Sequence, residues 1–189
     1  MGKDLSEMSL EELWRLFPIV LAAHDVRWAE WYAEEEHFLR KFLPDAQTVR
    51  ISHIGSTAVQ GIWAKPIIDI LVEVPPNGDF QALKLVFQQA GYRCMSETRQ
   101  RMSLNKGYTE NGFTEKVFHL HVRRSGDHDE LYFRDYLNEY PGVAAEYEQL
   151  KLRLWKAYEH DRDGYTEQKT PFVERHTQEA RRMYQGRYE

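Results

Sequence analysis

The chain offers one cysteine, Cys94, so no disulfide can close within it and its stability must come from packing. That fits a reducing compartment, and the expected location is the cytoplasm. Long apolar runs are missing as well. No stretch reaches the length a membrane-spanning helix needs, so no membrane partner is expected. The opening residues, MGKDLSEMSL, lack a charged segment followed by an apolar core and do not read as a signal peptide. A basic excess is missing too. The net charge of −5 counts against broad nucleic-acid binding, which needs a basic face for phosphates, yet it leaves room for a local basic pocket. Repeats and low-complexity segments are absent from the sequence. What is present is the balance of a globular protein, and 189 residues suffice for one domain with a good core.

Along the chain, Ser9 with Glu12 three residues later forms a capping-box pattern, so a short helix is expected over 9–17, ended by Pro18. Residues 1–18 read as a helical extension and 19–189 as a single domain. Trp28, Trp31, Tyr32, Glu35, Phe38, Leu39 and Phe42 recur at helical steps, with Pro44-Asp45 as the stop. TVRISHI (48–54) reads as a strand, 57–64 as a loop or short helix, and PIIDILVEV (66–74) as a central strand. A turn at 75–78 leads to a helix over 79–90 with Asp79 as cap. YRCM and RMSLN are short strand candidates, Gly107 and Asn111-Gly112 mark turns, and 116–123 alternates as a strand. Helices follow over 131–140, 143–158 and from Tyr165 onward, with Thr170-Pro171 as a place where the last one could restart. The order predicts an α+β fold: one sheet, helices packed on one face and a helical C-terminal part.

Three features carry chemistry. In the strand 66–74, Ile68, Ile70, Val72 and Val74 share one face, and Ile67, Asp69, Leu71 and Glu73 share the other. An ionised carboxylate in a dry core is costly, so Asp69 faces a cleft or has a fixed cationic or backbone partner. GSTAV, from Gly55, leaves a strand with backbone N–H groups and two hydroxyls exposed, a cradle for an anion or an ordinary turn. On the strand 116–123, His119, His121 and Arg123 share a face, with the two imidazoles about 7 Å apart at Cα. They read as a metal pair, as a phosphate site with Arg123, or as a plain polar face; His53 stands close enough in sequence to Gly55 to join them. Arg134, Lys151, Arg153 and Lys169 are cations of the helical half, read either as reaching over such a cleft or as a solvated face.

The stretches HIGSTAVQGIWAKPIIDILVEV, HLHV, FRDYL, VAAEYEQLKLRL and YTEQKTPFVERH, in that order from about Asp25 to His176, resemble the GrpB family of bacterial proteins. That family is similar to the nucleotidyltransferase superfamily, whose pattern is a Gly-Ser turn, then a strand with two acids at alternate positions, then a later acid. The resemblance implies a nucleotidyltransferase-like mixed sheet. It also implies that Gly55, Ser56 and Thr57 hold the phosphates of a nucleotide. Asp69 would carry a divalent metal, Mg²⁺ or Mn²⁺, with a nucleoside triphosphate as substrate. The sequence departs from the pattern at two places. The second acid is replaced by Leu71, and the later strand shows His119 and His121, donors that suit Zn²⁺ or Mn²⁺ better than Mg²⁺. The expected site therefore has Asp69, His119 and His121 as catalytic residues and, with His53, as metal ligands. Lys65, Arg123, Arg134 and Lys169 would neutralise phosphate. The expected partner is a nucleotide or other small phosphorylated molecule. Two rival readings are a ligand-binding or regulatory module without turnover, and a transition-metal-dependent hydrolase.

Overall fold

The computed structural model describes residues 4–43 and 48–189. The expected stop at Pro44-Asp45 lies outside them. Helix α1 (Leu10–Leu16) carries the capping box: the Ser9 hydroxyl accepts from Glu12 N–H and the Glu12 carboxylate accepts from Ser9 N–H. Helix α2 (Arg27–Arg40) buries Trp28, Trp31 and Leu39. Its one acid on that side, Glu35, accepts from the Tyr92 hydroxyl at 2.9 Å and the Lys106 ammonium at 2.7 Å, which satisfies the buried charge. Strand β1 (Arg50–Ile54) runs into a short 3-10 turn at Ser56–Ala58, and β2 (Ile68–Val74) follows. Helix α3 (Phe80–Gln89) starts on Asp79, whose carboxylate accepts from the N–H groups of Gln81 and Ala82.

Strands β3 (Arg93–Glu97), β4 (Arg101–Thr109) and β5 (Gly112–Arg124) form two hairpins. The last two are longer than the sequence suggests, because pairing continues to the turn, with Thr109 opposite Gly112. Gly107, expected as a turn, sits inside β4 at a register shift with φ +94°. A Cβ there would stand 2.5 Å from the Lys116 carbonyl oxygen, so the irregularity requires glycine. The sheet order is β1-β2-β5-β4-β3, with β2 and β5 parallel and every other pair antiparallel. This is the α+β mixed sheet expected from the element order.

Helices α2 and α3 pack on one face of the sheet, over Ile68, Ile70, Val72, Leu104, Leu120 and Val122. The C-terminal part consists of α4 (Asp129–Glu139), α5 (Pro141–Ala157) and α6 (Arg162–Met183). Pro141 sits in the first turn of α5, where its missing N–H costs nothing. Helix α6 does not restart at Pro171. It begins earlier, on the Asp161 side chain, which accepts from Gly164 N–H at 2.8 Å, and runs through Pro171. The proline removes one ladder N–H there, while the Thr170 hydroxyl bonds the Thr166 carbonyl at 3.1 Å. These three helices stand over the other face at the β1–β2 side, where Ile54 and Leu71 meet Leu131 and Tyr188. Next to that contact the helices and the sheet part, leaving one large cavity. No helix of the described residues is long and apolar enough to cross a membrane.

Candidate functional site

Strand register assembles the core of the site. In the parallel pair, Asp69 lies opposite His119 and Leu71 opposite His121. All four side chains project to the same face, so the polar faces of the two strands meet. Asp69 Oδ1 is 3.0 Å from His121 Nε2 and 3.4 Å from His119 Nδ1. One ligand atom from each of Asp69, His119 and His121 lies within 4.8 Å of the other two, a spacing that can hold a metal ion. Burial opposes ionisation of Asp69, but the hydrogen bonds from His119 and His121 outweigh it and hold the carboxyl well below its usual range. His119 is pushed down, chiefly by burial, although Asp69 pulls the other way.

The other ring nitrogen of His119 is fixed as well. Nε2 is 2.7 Å from the Tyr108 hydroxyl, which accepts from Arg162 at 2.9 Å. The assignment that gives each donor an acceptor has Tyr108 donating to Nε2, with the imidazole proton on Nδ1 toward Asp69. Tyr108 and Arg162 were not picked out by sequence reasoning. A tyrosine among strand residues and an arginine at a helix start carry no local signal. The two become a pair only because β4 neighbours β5 and α6 crosses above them.

Gly55 begins the second wall. It adopts φ +72°, and a Cβ on it would collide with the Asp69 carboxylate. The turn after it places Ser56 and Thr57 at the cavity. The two hydroxyls have different duties. Ser56 lies against the Tyr147 hydroxyl, itself pushed up to about 12 by burial. Thr57 is buried, donates to the Ile67 carbonyl at 3.2 Å, and receives His53 Nε2 at 2.9 Å. His53 Nε2 therefore carries its proton and is spent on Thr57. Its ring stacks on Tyr32 with centroids 4.8 Å apart, and burial pushes it down to about 4. His53 braces the turn and stands outside the Asp69 group.

The cavity encloses about 860 Å³. Its cationic end draws on three elements: Lys65 just before β2, Lys151 on α5, and Arg162 and Lys169 on α6. Burial and the nearness of Lys169 and Arg162 push Lys65 down to about 7. Burial first, then Lys169, brings Lys151 to about 7, and burial brings Lys169 to about 8. The cavity side of α6 follows helical spacing: Arg162, Tyr165, Lys169, Val173, Thr177 and Arg181 line it at steps of three or four, and three of these six are cations. At the opposite end the charges are paired, Arg101 with Asp127 at 2.7 Å and Arg181 with Asp129.

Two of the expected phosphate ligands are committed elsewhere. Arg123 is buried, does not line the cavity, and pairs with Glu130 at 3.4 Å and Asp127 at 3.9 Å. Arg134 borders the cavity, but its guanidinium donates to the His53 carbonyl at 2.8 Å, to Asp135 at 2.7 Å and to the Tyr188 hydroxyl at 3.0 Å. Arg153, by contrast, is exposed on α5. Glu73 is buried and bonded to His128 at 2.7 Å, with Arg50 at 3.2 Å. Leu71 has no exposure and lies in the apolar contact with Ile54 and Leu131.

A family model described as GrpB protein matches residues 18–179. The chain belongs to the GrpB family. It is 35% identical over 161 residues to the glutamate-rich protein GrpB of Alkalihalophilus pseudofirmus, covering 82% of this chain and 92% of that one. Against another curated bacterial relative, the chain spans only 52% of the relative's length. The crystal structure of the conserved protein GrpB from Enterococcus faecalis is similar at TM-score 0.74 and 30% identity, covering 87% of this chain and 99% of that one. A weaker likeness, TM-score 0.47 and 17% identity over 79% of this chain and 46% of the other, is to the Cid1 poly(U) polymerase. At that level it shows no more than a general similarity of shape.

Proposed function

We propose that this GrpB-family protein binds a phosphorylated small molecule, a nucleotide being the favoured class, in the cavity between the sheet and α5–α6, with one divalent metal ion at Asp69, His119 and His121. The observation that carries the reading is the meeting of one ionised carboxylate, two imidazoles and four cations on a single cavity of nucleotide size. The mixed carboxylate and imidazole donor set fits a transition metal such as Zn²⁺ or Mn²⁺ better than Mg²⁺, which favours oxygen ligands alone. When bound, the metal would supply Lewis acidity toward a phosphoryl oxygen. The chain's own groups do the rest. Tyr108 orients His119, whose ring proton would sit on Nε2 toward the Tyr108 hydroxyl when Nδ1 serves as the ligand atom. Gly55 lets the backbone approach Asp69, and the lysines neutralise phosphate charge. Nucleotidyl transfer is the reaction class that the Gly-Ser turn and Asp69 suggest.

The test is calorimetric titration of ATP and GTP, each with Mn²⁺ or Mg²⁺, into wild type and Asp69→Ala. Wild type is expected to bind at least one nucleotide more tightly with Mn²⁺, and Asp69→Ala to lose that metal dependence. A wild type that binds neither nucleotide under any of these conditions overturns the reading. Leu71 favours a second reading, binding without turnover. Its position is filled by apolar packing, so a second carboxylate-held ion has no ligand there. Release of pyrophosphate from bound ATP, with hydroxyl compounds and water offered as acceptors for the nucleotidyl group, distinguishes the two: sustained release supports transfer, none supports a binding module.

A further inference from the structure

The cationic end of the cavity has more positive charge than the protein answers. Lys65 and Lys169 both stand on the ring of Tyr165, 5.4 Å and 4.4 Å from its centroid. Arg162 points toward the same space, held at the Tyr108 hydroxyl. Behind them Lys151 is buried, donates to the Trp63 carbonyl and lies 4.8 Å over the Tyr147 ring. Among the described residues, neither Lys65 nor Lys169 has a carboxylate within ion-pair distance. The acid that acts on both is Asp69, and its Oδ1 is already shared by two imidazoles. Several half-buried cations repelling one another are unfavourable in the empty protein. The arrangement makes sense when a ligand brings the missing negative charge.

We propose that Lys65, Arg162 and Lys169, backed by Lys151, bind a polyphosphate chain directly, taking the place that a second metal ion would hold. This rests on the phosphorylated-ligand reading above and adds its substrate class: a di- or triphosphate rather than a single phosphate or a carboxylate. Charge decides the class. A phosphate monoester carries about −2 at neutral pH, too little for three convergent cations, whereas a triphosphate carries roughly twice that. Space agrees, since about 860 Å³ far exceeds one phosphate group. Leu71 explains why protein cations are needed. A second carboxylate at that position would hold the second ion, and the packing of Ile54, Leu131 and Tyr188 over Leu71 excludes it. The consequence is specific: the polyphosphate end binds without any metal.

The experiment is calorimetric titration of the full chain with tripolyphosphate, and separately with inorganic phosphate, in EDTA at pH 7. Tripolyphosphate is expected to bind in EDTA at least tenfold more tightly than phosphate. Lys65→Met and Lys169→Met should each weaken it at least tenfold. Their thermal midpoints should hold or rise, because each removes one of several mutually repelling cations. Lys169→Gln guards against a packing defect in the Met variants and should weaken binding in the same way. Binding of tripolyphosphate only when Mn²⁺ is added overturns this inference and leaves the metal-dependent reading standing. Equal affinity for phosphate and tripolyphosphate, or unchanged affinity in all three variants, also overturns it. No binding of tripolyphosphate or nucleotide, with or without metal, removes the underlying reading as well.

Discussion

Gly55 is constrained twice, by its backbone and by its neighbour. Its φ of +72° disfavours any residue with a Cβ, and the space that a Cβ needs is taken by the Asp69 carboxylate. The two residues form one device, although fourteen positions separate them in the sequence, because β1 and β2 pair with Ile54 opposite Asp69. Gly55→Ala is expected to destabilise the fold by about 1–3 kcal/mol from the backbone alone, because φ +72° with ψ −174° is a conformation that glycine alone adopts readily. It should also push Asp69 off His121 and weaken Mn²⁺ binding. Urea unfolding reads the first effect and metal titration the second; unchanged metal affinity would show that the carboxylate can shift freely.

At the scale of elements, β2 divides the sheet's second face into a wet half and a dry half. Asp69 opens on the cavity, whereas Leu71, one alternation further, is sealed by α4 and the C-terminal residues around Tyr188. Glu73, further still, is tied to His128 and Arg50. Residue alternation predicts that all three point the same way, but not that helices cover two of them. Restoring an acid with Leu71→Asp looks from the sequence like repair of a metal site. The structure predicts the opposite. A carboxylate there would be buried among Ile54, Leu131 and Tyr188. The cost is roughly 3–5 kcal/mol, and Mg²⁺ affinity should not rise. Chemical denaturation and Mg²⁺ titration of the variant check both halves.

For the whole molecule, the cavity makes ligand binding depend on pH. Lys65, Lys151 and Lys169 come from the segment before β2, from α5 and from α6. They face Asp69 on β2, His119 and His121 on β5, Glu148 and Tyr147 on α5, and Arg162 and Tyr165 on α6. Free, these lysines sit near 7, 7 and 8, against an ordinary 10.5. A bound polyanion favours the charged form and moves them back up. Binding therefore takes up protons. It is strongest below about 7 and is lost as pH rises toward 10, by up to tenfold per pH unit for each lysine that gains a proton. Tripolyphosphate affinity at pH 9 is expected to be at least tenfold weaker than at pH 7; a flat profile would show that the lysines are not at the ligand. In the empty protein the sign reverses. Between 7 and 10.5 the unfolded chain binds more protons at these lysines than the folded one, so they add stability as pH rises through that window. His53 acts on the acid side. It is held near 4 against an ordinary 6.5, so its contribution is present above 6.5 and lost as pH falls toward 4. Thermal melts across pH read both limbs.

Sequence alone determined the features set by local periodicity and chain chemistry. The capping box of α1, the Asp79 cap, the two-faced strand with Asp69, the His-x-His strand and the α+β order all rest on neighbours within a few residues, and the structure contains each of them. Local patterns also supplied the Gly-Ser turn and the family resemblance. Tertiary structure decided everything that depends on distant partners. It made β2 and β5 parallel neighbours, so that Asp69 meets His119 and His121. It spent His53 on Thr57, Arg134 on Asp135, Tyr188 and the His53 carbonyl, and Arg123 on Asp127 and Glu130. It brought Arg162 and Tyr108 to a site that their own surroundings in the chain do not announce. The physical reason is the same in each case: alternation fixes which way a side chain points, while the helices packed above it fix whether it meets water, an opposite charge or an apolar wall.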